Sequence, residues 1–264
     1  MSPSRYAAAS VTGPREKNDD RWSADPDAGL FVVSDGIGSA SHGGLAAQVV
    51  VDRLPAYLAA QRARPGRADP RHWLPAAIAH LSDELHRRSV GPDGLTGTTA
   101  TVVAALNTGR DCVVAHLGDS PAYLLRDGQL TCLTTDHTIA RVLMDAGAIT
   151  ADEALAHPGR NKLTRHVGME PPAHPDVTQV ELHPGDRLLL CSDGISGVLG
   201  EDTLRDVLSS AGDPEATCAA LIEAATNADS TDNMTVVVVE FDLLPMSSDT
   251  AEGLRIRREV RGYT

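Results

Sequence analysis

Four segments of the chain end an apolar run on Asp or set Asp beside Gly or Asn: REKNDD (15–20), VVSDGIG (32–38), LLCSDGIS (189–196) and STDNMTVVVV (230–239). A fifth, HLGDSPAY (116–123), repeats the theme. A strand that runs into Asp-Gly sets a carboxylate on a turn at the rim of a sheet, where the glycine lets the backbone approach a ligand closely. One such Asp-Gly reads as an ordinary turn. Several strand-terminal aspartates are different, because carboxylates gathered at one end of a sheet repel one another unless a cation joins them. Hard divalent ions such as Mg²⁺ and Mn²⁺ take oxygen ligands. The pattern therefore points to a polynuclear Mg²⁺ or Mn²⁺ site, although spacing alone leaves open whether the segments converge. Arg15 lies three residues before Asn18 and five before Asp20. It suits a bidentate grip on phosphate oxygens and equally suits a surface salt bridge.

The elements that must position these residues are legible in outline. AGLFVVSDG (28–36) is a short β-branched run bounded by turn residues and reads as a strand. Residues 42–64 carry apolar side chains at helical spacing, with Pro55 expected to kink or split the helix. Residues 71–89 read as a second helix. From Thr96 the texture changes to strands joined by tight turns, with hairpin signals at Asn107-Thr-Gly and Asp127-Gly128. Helical character returns over 137–158, broken at Gly147, and Thr150 to Glu153 has the form of a capping box. DVTQVEL and DRLLLCSDG read as strands, 201–228 as two Ala-rich helices parted at AGDP, and 232–244 as a final strand. The polar residues after Pro245 are expected to form a mobile tail. Regular βαβ alternation is absent, which favours antiparallel sheets with helices on their outer faces.

Composition narrows the function classes. The 264 residues hold 36 Asp and Glu against 23 Lys and Arg, a formal charge of -13, and only 3% aromatic residues. That is neither the basic footprint nor the stacking platform of a nucleic-acid binder. No apolar run approaches the roughly 18 residues of a membrane helix, and the first twenty residues contain no secretory core. Cys112, Cys132, Cys191 and Cys218 form no CxxC pair and sit in apolar stretches, so reduced, packed thiols and a cytoplasmic location are expected.

The strings TGPREKNDDRW, VVSDGIG, TGTTATVV, HLGDSPAYLLRDGQLTCLTTDHT, NKLTRHVG, PGDRLLLCSDGIS and DNMTVVVV follow one another between about Tyr6 and Phe241. Together they resemble the metal-dependent Ser/Thr protein phosphatases of type 2C, in their compact bacterial form. The resemblance implies an α+β fold, a four-layer α-β-β-α sandwich of two antiparallel sheets flanked by helical pairs. It implies a catalytic domain over 1–244, a flap at about 138–162 and a tail over 245–264.

Residue by residue, the resemblance implies that Asp35 bridges two Mn²⁺ or Mg²⁺ ions and that Gly36 offers one of them its carbonyl. Asp193 and Asp232 would bind the first ion. Asp20 would hold metal-bound water or act from behind the ligands, and Arg15 would grip the substrate phosphate. Asn18 and Asn233 would act from behind the ligands. Asp19 stands where the family usually has Glu, a methylene longer, so its coordination of the second ion is open. Asp119 matches a ligand of a third ion. The usual second carboxylate of that ion is Gly197 here, and the Arg that usually follows GDS is Pro121. Ile37 replaces a His proposed elsewhere as a general acid, and His42 lies nearby in a lengthened loop. His116, His137 and His166 read as ordinary strand or loop residues.

The implied activity is hydrolysis of phosphoserine and phosphothreonine in proteins by a metal-activated bridging water, opposing a bacterial Ser/Thr kinase. The expected partner is a phosphorylated protein, with no nucleic acid or membrane, and the expected state is a monomer. Two other readings stay open. One is a catalytically weak phosphatase-fold module, favoured by the departures at Asp19, Pro121 and Gly197. The other is a phosphatase of a small phosphorylated metabolite.

Overall fold

The computed structural model describes residues 4–38, 43–64, 69–90, 97–210, 212–242 and 256–259. In chain order the strands are β1 (Ser4–Val11), β2 (Arg21–Asp25), β3 (Leu30–Ser34), β4 (Gly36–Ile37), β5 (Thr99–Ala100), β6 (Val102–Asn107), β7 (Asp111–Leu117), β8 (Ala122–Arg126), β9 (Gln129–Cys132), β10 (Asp176–Glu181), β11 (Arg187–Cys191), β12 (Met234–Phe241) and β13 (Ile256–Glu259). The helices are α1 (Gly43–Arg62), α2 (Trp73–Val90), α3 (Ile139–Asp145), α4 (Ala151–Ala156), α5 (Asp193–Ser196), α6 (Glu201–Ser210) and α7 (Pro214–Asn227).

Two antiparallel sheets form, in the orders β1-β12-β11-β8-β9 and β13-β10-β7-β6-β3-β2, with β4 and β5 paired as a small third ladder. Period-two alternation divides each central strand between two apolar layers. Phe31 and Val33 of β3 face Val237 and Val239 of β12 between the sheets. Leu30 and Val32 turn the other way, onto Val50, Leu54 and Leu58 of α1 and Ile78 and Leu81 of α2. On the far side, Val236 and Val238 of β12 pack on Leu204 and Leu208 of α6 and Leu221 of α7. The result is the expected four-layer α-β-β-α sandwich.

Three details differ from the sequence reading. Pro55 lies inside α1 and does not split it, the helix continuing from Gly43 to Arg62; Leu54 and Leu58 on either side are buried, so tertiary packing offsets the lost backbone bond. β1 and β2 carry too few branched or aromatic residues to read as strands, yet β1 pairs along its whole length with β12, Ser4 opposite Phe241 and Val11 opposite Met234. Finally, within the expected tail, Ile256–Glu259 pairs antiparallel with β10.

Two expected punctuation marks are present. Gly147 takes φ +69 between α3 and α4, and Thr150 and Glu153 form a reciprocal capping box at the start of α4.

Candidate active site

Antiparallel pairing brings the acidic segments to one end of the sandwich. β11 and β12 are neighbours, with Cys191 opposite Val236. Asp193, just after β11, and Asp232, just before β12, therefore lie at the same end of the first sheet. β3 of the second sheet runs into Asp35. Its amide donates to Thr101 Oγ1 at 2.9 Å, and its carbonyl accepts the Thr101 amide at 2.8 Å. Thr101 Oγ1 is also 2.6 Å from Ser120 Oγ, which ties the Asp119 turn to Asp35.

The segment between β1 and β2 folds over this end. Asp20 is 2% exposed. Its Oδ2 accepts from Ser192 Oγ at 2.7 Å, while its Oδ1 is buried without a hydrogen-bond partner. Asn18 Oδ1 accepts the Asp20 amide at 3.0 Å. Asn233 holds the same segment from below: its Nδ2 donates to the carbonyls of Thr12 and Lys17, each at 2.8 Å. Asp19 turns toward α1, where its Oδ1 accepts the Gly44 amide at 3.0 Å. Arg15, exposed at the mouth, donates from Nε to Thr231 O at 2.9 Å. Gly36 opens β4 opposite Ala100, with Ile37 opposite Thr99.

The buried carboxyls bear on one another electrostatically. Burial, followed by the charges of Asp20, Asp193, Asp119 and Asp232, holds the Asp35 carboxyl well above the ordinary range. Burial raises Asp20, with Asp232 adding to it against hydrogen bonds that lower it. Asp193 is pushed up to about 6 by burial and then by Asp232 and Asp20. Asp119 is pushed up to about 8 by burial and then by Asp193 and Asp136. A cluster of strained oxygen donors with one orphaned buried oxygen fits hard divalent cations, which would satisfy the donors and remove the repulsion.

Every acidic residue singled out from the sequence except Asp19 thus enters one mutually repelling group, and Asp19 is engaged by α1 beside it. At Gly197 the geometry is restrictive: a side chain there would begin 2.6 Å from the Asp193 carbonyl. His42 lies outside the described residues.

Sequence reasoning missed Asp136, whose charge acts on both Asp119 and Asp193. Its signal was the same as that of the others, an Asp closing an apolar run, in LTCLTTDH. It also missed Thr101 and Arg21. Arg21 Nη1 donates to the carbonyls of Asn18 and Asp20 at 2.8 and 2.6 Å, and its Nε donates to Gln48 of α1 at 2.8 Å. None of the four thiols is in a disulfide. Burial pushes Cys112 up to about 12 and Cys218 to about 11, so neither is a nucleophile near neutrality.

The sequence profile described as Protein phosphatase 2C matches residues 13–232, a span that carries these side chains up to Asp232, with Asn233 the next residue. The chain belongs to the protein phosphatase 2C family. It is 38% identical over 240 residues to the serine/threonine protein phosphatase PstP of Mycobacterium tuberculosis, a match covering 89% of this chain and 45% of that protein. The chain thus spans about half the length of that relative. To the serine/threonine phosphatase stp of Listeria monocytogenes it is 31% identical, covering 84% of this chain and 88% of the other. Among solved structures, the catalytic domain of PstP in complex with two manganese ions superposes with a TM-score of 0.71 at 33% identity, covering 90% of this chain and 97% of that one. The type 2C architecture inferred from the ordered strings is therefore the architecture of this chain.

Proposed function

We propose that the protein is a metal-dependent phosphatase of phosphoserine and phosphothreonine in proteins. The observation that carries this reading is the convergence of Asp20, Asp35, Asp193 and Asp232 beside Arg15, with a buried Asp20 oxygen left unpartnered. Asp35, Gly36, Asp193 and Asp232 would hold two ions, with Asp20 and Asp19 acting through water. The two manganese ions in the PstP catalytic domain support the same count here. When bound, such ions supply Lewis acidity that activates water and offsets charge on a phosphoryl group.

The remaining work belongs to the chain. Arg15 presents a planar guanidinium at the mouth, suited to a tetrahedral phosphate. Thr231 fixes its position. Ser192 and Asn18 orient Asp20, and Thr101 fixes the main chain of Asp35. With Gly197 unable to supply a carboxylate, Asp119 belongs to a weak third site at most. The substrate reading follows from the names of the relatives. A partner kinase, a monomeric state and a cytoplasmic location complete the reading, the last in keeping with four cysteines placed in apolar stretches without a disulfide.

Hydrolysis of a phosphothreonine peptide and of p-nitrophenyl phosphate with Mn²⁺, compared between wild type and Asp193→Ala, tests it. Metal-dependent turnover lost by at least a hundredfold in the variant is expected. Metal-independent turnover, or an equally fast variant, would overturn the mechanism. Tight phosphopeptide binding without turnover would establish a binding module instead, and much higher efficiency on one small ester would establish a metabolite phosphatase.

A further inference from the structure

His137 follows Asp136 and stands at the root of the segment 138–163 that carries α3 and α4. It is 5% exposed. Its backbone amide donates to Gly118 O at 3.1 Å, and its ring Nδ1 accepts the Gly118 amide at 3.0 Å. Both bonds fall on the residue before Asp119. The His137 carbonyl accepts the Thr164 amide at 2.8 Å. Thr138 bridges Leu163, and Ile139 donates to Lys162 O at 2.9 Å. The two roots of the segment are thus fastened together at His137, and His137 is fastened to Gly118.

The ring is itself held. A backbone amide donates to Nδ1, so the proton of the neutral ring resides on Nε2, which donates to Asp176 Oδ2 at 3.1 Å. Arg165 donates to the other Asp176 oxygen at 2.9 Å and places Nη1 2.8 Å from His137 Nε2. His116 stacks on the ring with centroids 4.5 Å apart and 12° between planes. His116, His137 and Asp176 have the spacing of a metal site. Arg165 already supplies the cation there, and His116 Nε2 donates to Thr135 O at 2.8 Å. The cluster therefore reads as an anchor.

The anchor connects to the acidic site. Gly118 takes φ +113, and a Cβ there would lie 2.6 Å from Thr101 Cγ2, so its main chain rests directly on Thr101. The Thr101 hydroxyl in turn receives the Asp35 amide.

We propose that His137, braced by Asp176 and Arg165, is a positioning residue that sets the 138–163 segment against the Asp119 and Asp35 rim, so that the segment aligns a phosphoprotein substrate. This rests on the phosphatase reading above. Asn and Gln separate its two nitrogens: the Asn amide oxygen reproduces the Nδ1 acceptor for Gly118, and the Gln amide reproduces the Nε2 donor to Asp176.

The test uses the full chain, with His137→Asn and His137→Gln. Hydrogen exchange over 138–163, measured in EDTA, is expected to quicken at least tenfold in His137→Gln and less than threefold in His137→Asn. With Mn²⁺, His137→Gln is expected to lose at least tenfold in kcat/KM on a phosphothreonine peptide and less than threefold on p-nitrophenyl phosphate. Equal losses on both substrates would reduce His137 to a packing role, and unchanged exchange in His137→Gln would overturn the anchor. Exchange is read without turnover, so an inactive wild type would defeat the phosphatase reading while leaving the anchor to its own result.

Discussion

Arg15 Nη2 lies 2.6 Å from Asp232 Oδ2, so the candidate phosphate grip and a candidate cation ligand share one charge-assisted hydrogen bond. The pair itself is largely solvent-exposed and contributes at most about 1 kcal/mol, whereas a charged hydrogen bond from Arg15 to a bound phosphate contributes about 1.5–3 kcal/mol. Arg15→Ala should therefore cost roughly 10- to 100-fold in kcat/KM on a phosphopeptide. The Mn²⁺ concentration for half-maximal activity should not rise, because Asp232 loses a competing cation. Arg15→Lys should fall between the two, keeping charge without the fork. Steady-state kinetics over a Mn²⁺ titration measures both quantities.

The raised carboxyls predict a pH slope. Asp193 at about 6 and Asp119 at about 8 both stand above the ordinary 3.8. The fold favours their protonated forms, so that stabilisation is complete below about pH 4 and is lost as pH rises through 6 and 8. In EDTA, the melting temperature should fall between about pH 5 and pH 8, and saturating Mn²⁺ should flatten the slope. A melting series that is flat in EDTA would contradict the repulsion.

Asp35→Asn removes the carboxylate under the greatest repulsion. It should raise the melting temperature in EDTA relative to wild type while abolishing both turnover and the Mn²⁺-induced increase. Differential scanning fluorimetry with and without Mn²⁺ reads this directly.

A control far from the site separates stability from chemistry. Asp186, 1% exposed, receives Arg126 Nε at 2.8 Å and Nη2 at 2.5 Å and also accepts the His183 amide at 2.8 Å. Asp186→Ala leaves the largely buried Arg126 guanidinium without its carboxylate, with only the Glu181 carbonyl still accepting from it, which costs about 3–5 kcal/mol. The denaturation midpoint should drop sharply, while the Mn²⁺ requirement of the folded protein stays within about twofold.

Much of this site was legible in sequence because aspartates beside Gly or Asn at strand ends are local signals. The strands of β3, β11 and β12 announce themselves by branched residues, and the Asp-Gly turns mark where they stop. What sequence could not show was long-range closure. β1 is an Ala-rich edge strand whose order comes from pairing with β12, and Asp19 belongs to the cap of α1 only because Gly44 arrives there in space. His137 looked like a loop residue because its partners, Gly118, Arg165 and Asp176, are scattered along the chain. Gly197 appeared as a missing ligand; the structure adds that a side chain there would have to displace the Asp193 carbonyl that its own amide bonds.

The carboxylates come from opposite sheets: Asp35 extends from β3 of one, while Asp193 and Asp232 flank β11 and β12 of the other. Ions shared among them would join the two halves of the sandwich at one end, where apolar packing of Val33, Val103 and Val237 gives way to polar groups. Metal affinity then becomes a gauge of how well the sheets are seated. A core substitution such as Val237→Ala, remote from any ligand, would announce itself as a demand for more Mn²⁺ before it appeared as lost secondary structure.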